Sequence, residues 1–133
     1  MLAVPEYDAL LRNGLARAAF TGGGVAALDF LPVVKLFTPD AACIWLLTEL
    51  DPDNHDIAFG LCDLGWDTPE FGPVCLSALR QIQGKLGRRV ERDRHFRPLH
   101  TISVYARAAR NAGYITEDPQ ALAQAAKEAG SEA

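Results

Sequence analysis

Apolar positions crowd into residues 31–65, LPVVKLFTPDAACIWLLTELDPDNHDIAFGLCDLG, the densest such run in the chain, interrupted by two turn signals. Residues 33–38 are rich in β-branched and aromatic side chains and stop at Thr38-Pro39-Asp40, where proline fixes φ and removes a donor. From residue 42 to 50 both alternating sets are largely apolar, with Ile44, Leu46 and Leu50 on one side and Cys43, Trp45 and Leu47 on the other, so this strand is expected to be covered on both faces. After the polar turn at residues 51–56, Ile57, Phe59 and Leu61 alternate with Ala58, Gly60 and Cys62, giving a strand with one large and one thin face. Connections this short join antiparallel neighbours, and a meander is the simplest arrangement.

The flanks read differently. Pro5 suits the first turn of a helix, and Tyr7, Leu10, Leu11, Leu15 and Ala18 follow at helical spacing, with Asn13-Gly14 weakening the middle. Thr21-Gly22-Gly23-Gly24 has neither the spacing nor the lysine of a phosphate-binding loop and reads as a connector. Residues 70–76 read as a fourth strand, which Pro73 should place at a sheet edge or bulge. Ser77 is expected to cap a short helix carrying Leu79 and Ile82, stopped by Gly84 and Gly87. Ser103 is expected to cap a helix over residues 104–112 ended by Gly113, and Asp118-Pro119 to open a final Ala-rich helix anchored by little besides Leu122.

These elements predict one α+β domain, an antiparallel sheet of about four strands flanked by helices. It divides into an N-terminal helix and Gly-rich connector (1–30), an α+β core (31–112) and an Ala-rich helical tail (113–133). The 133 residues, 49% hydrophobic and 23% charged, are ordinary for a soluble globular domain. No apolar run reaches membrane-spanning length, and the expected location is cytoplasmic. Cys43, Cys62 and Cys75 are odd in number, widely spaced and set in apolar strand patterns, so they are expected to be buried thiols rather than disulfides or zinc ligands.

Charge changes the picture. Residues 36–79 hold eight acids (Asp40, Glu49, Asp51, Asp53, Asp56, Asp63, Asp67, Glu70) and no Lys or Arg, whereas residues 80–110 hold nine bases (Arg80, Lys85, Arg88, Arg89, Arg92, Arg94, Arg97, Arg107, Arg110) against Glu91 and Asp93. Either the two blocks meet in the fold and neutralise each other, or they stand as separate fields that steer partners of opposite charge.

Four blocks, PVVKLFTP at 32–39, WLLTELD at 45–51, FGLCDLG at 59–65, and Glu91-Arg92-Asp93 followed by His95-Phe96, resemble the domain of unknown function 2958, a family of small bacterial and plasmid-borne proteins. One block departs from the family pattern, at Gly72-Pro73-Val74-Cys75-Leu76-Ser77-Ala78-Leu79. The resemblance implies a compact α+β domain and no particular reaction. It further implies cargo of mobile elements, similar to one class of phage-encoded inhibitors of CRISPR nucleases.

Two function classes follow. The first is a non-enzymatic protein- or nucleoprotein-binding module without a cofactor, in which Arg88, Arg89, Arg92 and Arg94 meet an anionic surface, nucleic acid included, while Asp51, Asp53 and Asp56 face a basic one. Trp66, in a loop, is the tryptophan expected at such an interface; Trp45, in a strand, is expected in the core. The second is a small metal-assisted hydrolase or nuclease using Glu91, Asp93 and His95, which an extended strand would place on one side, with His100 nearby. Against it stands a salt-bridged surface strand. Asp51, Asp53 and Asp56 fail the calcium-loop pattern at His55, and Cys62 stands where the last ligand, a Glu, should be.

Overall fold

The computed structural model describes residues 1–20, 28–66 and 68–131; the triglycine connector lies outside them. Along the described chain run α1 (Val4–Ala19), β1 (Val34–Phe37), β2 (Ile44–Asp51), β3 (Asn54–Asp63), β4 (Glu70–Cys75), α2 (Leu76–Arg80), β5 (Glu91–Arg92), α3 (Ile102–Ala112) and α4 (Pro119–Ser131). The sheet is antiparallel throughout, in the order β4-β3-β2-β1-β5. The expected meander is therefore present, with a fifth strand added beside β1. Pro73 lies on the free edge strand β4.

The sheet separates two apolar clusters. On one face Leu10 of α1 and Leu76 and Leu79 of α2 pack with Val34, Leu36, Trp45, Leu47, Leu50, Ala58 and Val90. On the other, Ile102, Tyr105, Ala108 and Ala109 of α3 and Leu122 and Ala125 of α4 pack with Leu46, Leu61 and Phe96. The central strand β2 is thus covered on both sides, which explains why both of its alternating sets are apolar.

One feature of β2 was not visible in its alternation. Leu47 pairs with Gly60 and Glu49 with Phe59, so Thr48 is an extra residue, a β-bulge. Beyond it the side chains exchange faces. Leu50, expected with Ile44 and Leu46, joins the α1 side instead, and Glu49 shares a face with Phe59.

The bulge also explains how α1 docks. Pairing between β1 and β2 ends at Val34 and Leu47, with a last bond from Val33 N to Leu47 O at 2.8 Å, so residues 48–51 have no strand beside them there. The helix fills that place. Asn13 Nδ2 donates to Thr48 O at 2.9 Å, and Arg17 Nε to Glu49 Oε2 at 2.6 Å. Gly14 comes so close that a Cβ would lie 1.8 Å from Leu50 O. Asn13-Gly14, which weakens the helix as a sequence, is what lets it approach the strand; α1 runs unbroken to Ala19.

Two helices begin two residues earlier than their serines suggested, because the caps come from elsewhere in the chain. Ser77 N donates to Asp56 Oδ1 at 2.9 Å and Ser77 Oγ to Asp56 Oδ2 at 2.6 Å, opening α2. Ser103 N donates to Asp29 Oδ1 at 3.0 Å and Ser103 Oγ to Asp29 Oδ2 at 2.5 Å, opening α3. In both cases the serine is the second helical residue and a distant aspartate supplies the capping carboxylate. Gly113 ends α3 as expected. The last helix has more anchorage than Leu122: Ala125 is buried beside it, and Glu128 Oε1 accepts from Arg107 Nε at 3.1 Å and Asn111 Nδ2 at 2.9 Å.

The segment after α2 differs most from expectation. Only Glu91 and Arg92 pair with β1. The chain then turns, with His95 N donating to Asp93 Oδ1 at 2.9 Å. Val90 and Phe96, which a strand extended through residue 96 would carry on one side, opposite Glu91, Asp93 and His95, therefore fall in opposite clusters.

Candidate functional site

The charge blocks can now be placed. The acidic block is largely occupied within the fold. Asp40 Oδ2 accepts from Leu86 N at 2.8 Å, Glu49 pairs with Arg17, and Asp56 caps α2. Asp63, buried, accepts from Gly65 N at 2.9 Å and Ile115 N at 3.0 Å, tying the end of β3 to the α3–α4 connection. Hydrogen bonds from Ser77 and Cys75 hold the Asp56 carboxyl below its ordinary value. Of the three acids expected to face a basic partner, Asp56 is thus committed to α2, while Asp51 and Asp53 form the tip of the β2–β3 hairpin.

Among the described residues, the ion pairs of the basic block use carboxylates from outside the acidic one. Arg88 Nη2 lies 3.3 Å from Glu91 Oε2, Arg92 Nη1 lies 3.3 Å from Glu6 Oε2, and Arg107 pairs with Glu128. Arg89 Nη1 donates to Arg80 O at 3.1 Å. Lys85, Arg88, Arg89 and Arg94 are exposed, and Lys85, Arg89 and Arg94 have no carboxylate partner among the described residues. These bases follow α2 and flank β5, and the Asp40 carboxylate anchors their loop at the β1–β2 turn. The acidic hairpin tip lies at the other end of β2 from β5, whereas Arg80, at the end of α2, lies near enough to Asp56 to help hold its carboxyl ionised.

The alternative chemistry finds no assembled centre. Glu91 turns to Arg88, and Asp93 Oδ2 lies 3.6 Å from Lys35 Nζ, which also meets Glu117 Oε2 at 2.5 Å. His95 is exposed in the turn beyond the strand. Among the described residues no group of three His, Cys, Asp or Glu side chains is disposed to hold a metal ion. The cysteines are free but half-buried rather than fully buried. Desolvation pushes the Cys62 thiol up to about 11, which keeps it protonated and unreactive at neutral pH. Trp45 is 2% exposed and Trp66 79%, the disposition their strand and loop positions implied.

A cavity of about 570 Å³ opens on the face of β3 and β4 next to α3. Phe59 and Phe71, 38% and 59% exposed, stand over it with Leu28 and Ile102, and Thr48 and Glu49 of the bulge lie among its walls. Sequence reading missed these residues: they are scattered from 17 to 103, and a bulge leaves no mark in an alternation pattern that is apolar on both sides. The large face of β3 was legible; that part of it lies bare was not.

The fold and its charged edge define a small α+β domain whose sheet is enclosed by helices and whose bases gather around one edge strand. No helix among the described residues is long and apolar enough to cross a membrane. The chain belongs to the family described as protein of unknown function (DUF2958), whose model matches residues 1–116. The match reaches beyond the four blocks that carry the resemblance and takes in α1 and all five strands. No curated relative and no solved structure matches the chain.

Proposed function

We propose that this protein is a non-enzymatic binding module that docks on an anionic protein or nucleoprotein surface through the bases around β5. The observation that carries this reading is the pairing of the basic block: among the described residues its ion pairs are made with Glu6, Glu91 and Glu128, none of them from the acidic stretch. Lys85, Arg89 and Arg94 accordingly present a positive field on a chain whose formal net charge is −4. The Asp51–Asp53 tip, at the far end of β2, and Trp66 are further contact points in the same reading. A cytoplasmic location and a role on mobile elements, against host defence nucleases among other targets, belong to this proposal.

The test is capture of partners by the tagged protein from host lysate, with and without nuclease, compared with an R88E/R89E/R94E variant. Arg92 is left in place because a glutamate there would face Glu6. The reading expects capture to be lost in the variant while the thermal midpoint moves by no more than a few degrees, since exposed pairs such as Arg88–Glu91 contribute about 1 kcal/mol or less. Equal capture by both proteins would overturn it. Survival of the partner after nuclease treatment assigns a protein surface, and its loss a nucleic acid.

A further inference from the structure

We propose that the cavity beside the bulge binds a small organic cation with an aromatic or branched apolar body. At about 570 Å³ it has the size of pockets that enclose drug-sized molecules. Its walls come from five elements and the segment before β1: Arg17 of α1, Glu49 of β2, Phe59 of β3, Phe71 of β4, Ile102 of α3, and Asp29. Phe59 and Phe71 offer two exposed ring faces, surface that the α3 and α4 layer does not cover.

The sign of the ligand follows from the polar groups. Among the described residues the wall carries one formal positive charge, Arg17, against two negative ones, Glu49 and Asp29. Arg17 is already spoken for, with its Nε on Glu49, its Nη2 3.3 Å from Leu28 O and its guanidinium 5.3 Å from the centre of the Phe30 ring. The carboxylates have capacity left. Asp29 accepts from Ser103 N, Ser103 Oγ and Thr101 Oγ1, three bonds on a group with about four acceptor sites. Glu49 accepts from Arg17 at 2.6 Å and from Thr48 Oγ1 at 3.4 Å. Ring faces attract cations, and a net negative wall repels anions.

Two structural costs point the same way. Glu49 is 5% exposed, and burying a carboxylate is costly even when, as here, a half-buried arginine pairs with it. The bulge interrupts the pairing of the central strand, and its effect is to turn Glu49 from the α1 face to the face bearing Phe59. Both are explained by a ligand that needs a carboxylate at that point. This site is separate from the basic edge and does not depend on it.

Three naphthalene compounds of equal size test it by isothermal titration: naphthylmethylamine, naphthylmethanol and naphthoate. The proposal expects the ammonium to bind at least about 10-fold tighter than the alcohol, with naphthoate weaker still. Phe71→Ala, at an exposed ring, should weaken the ammonium at least about 10-fold. Asp29→Asn, which keeps a capping side chain for α3, should reduce the preference for ammonium over alcohol. R88E/R89E/R94E should leave it unchanged. Equal binding of all three compounds, absence of binding up to millimolar concentration, or indifference to Phe71→Ala would each overturn the proposal.

Discussion

At the scale of single residues, Gly14 and Asp56 carry more than their types suggest. A methyl group at Gly14 would collide with the backbone carbonyl of Leu50, not with a side chain that can rotate away. Gly14→Ala, which would strengthen an isolated helix, should therefore destabilise this protein by about 3 kcal/mol or more, measured as the urea midpoint shift at constant m. Asp56 gives a pH-dependent signature. Hydrogen bonds from Ser77 and Cys75 hold its folded-state pKa below the ordinary carboxylate value, so the ionised form is favoured by folding. That contribution is complete above the unfolded value and disappears as pH falls through the folded one. Asp56→Asn should consequently be less stable than the parent near neutral pH, and the gap should narrow below about pH 4. A gap that stays constant down to acid unfolding would place the capping energy elsewhere.

At the scale of elements, β2 and its bulge determine where everything else goes. The extra residue Thr48 is satisfied on both sides, its carbonyl by Asn13 and its hydroxyl by the carbonyl of Phe59 at 3.3 Å. Across from it Gly60 is equally constrained, since a Cβ would lie 2.0 Å from Leu46 O. Deleting Thr48 would leave Glu49 opposite Phe59 and Leu50 opposite Ala58 in an unbulged ladder, with both side chains on their present faces, but would remove the carbonyl on which Asn13 docks. We expect that deletion to lower the thermal midpoint while keeping a cooperative transition, read by near-ultraviolet circular dichroism and a thermal scan. An unchanged midpoint would show that the bulge does not hold α1. The helices are coupled to the sheet in a comparable way, because Asp29 and Asp56 start α3 and α2 from positions 74 and 21 residues away.

For the molecule as a whole, a net charge of −4 conceals a surface that should behave as a base at one edge. The intact protein is expected to be retained on immobilised heparin at low ionic strength and released as the Debye length shrinks toward about 8 Å near 0.15 M salt. R88E/R89E/R94E should pass through unretained. Much of this plan was legible beforehand. The strands of the meander follow from period-two alternation and proline punctuation, α1 from helical spacing, α3 from Ser103 and Gly113 at its ends, and the edge position of β4 from Pro73 alone. What could not be read depends on tertiary context. Parity beyond residue 47 is set by one unpaired residue, the helix caps by aspartates remote in sequence, and the brevity of β5 by a turn whose residues alternate as a strand would. The cavity belongs to the same class, since Arg17, Glu49 and Phe71 form no local pattern. The basic edge was visible because its residues are contiguous; which carboxylates pair with it could be read only from the fold.

The half of β2 that lacks a strand neighbour has one more implication, for the order of assembly. Residues 48–51 would present an open backbone edge from a central strand, the kind of surface on which another chain can pair. Its cover, α1, lies upstream and leaves the ribosome before the strand does. Each newly made β2 thus meets its own helix already synthesised, and intramolecular docking through Asn13 and Gly14 competes ahead of any encounter with a neighbouring chain.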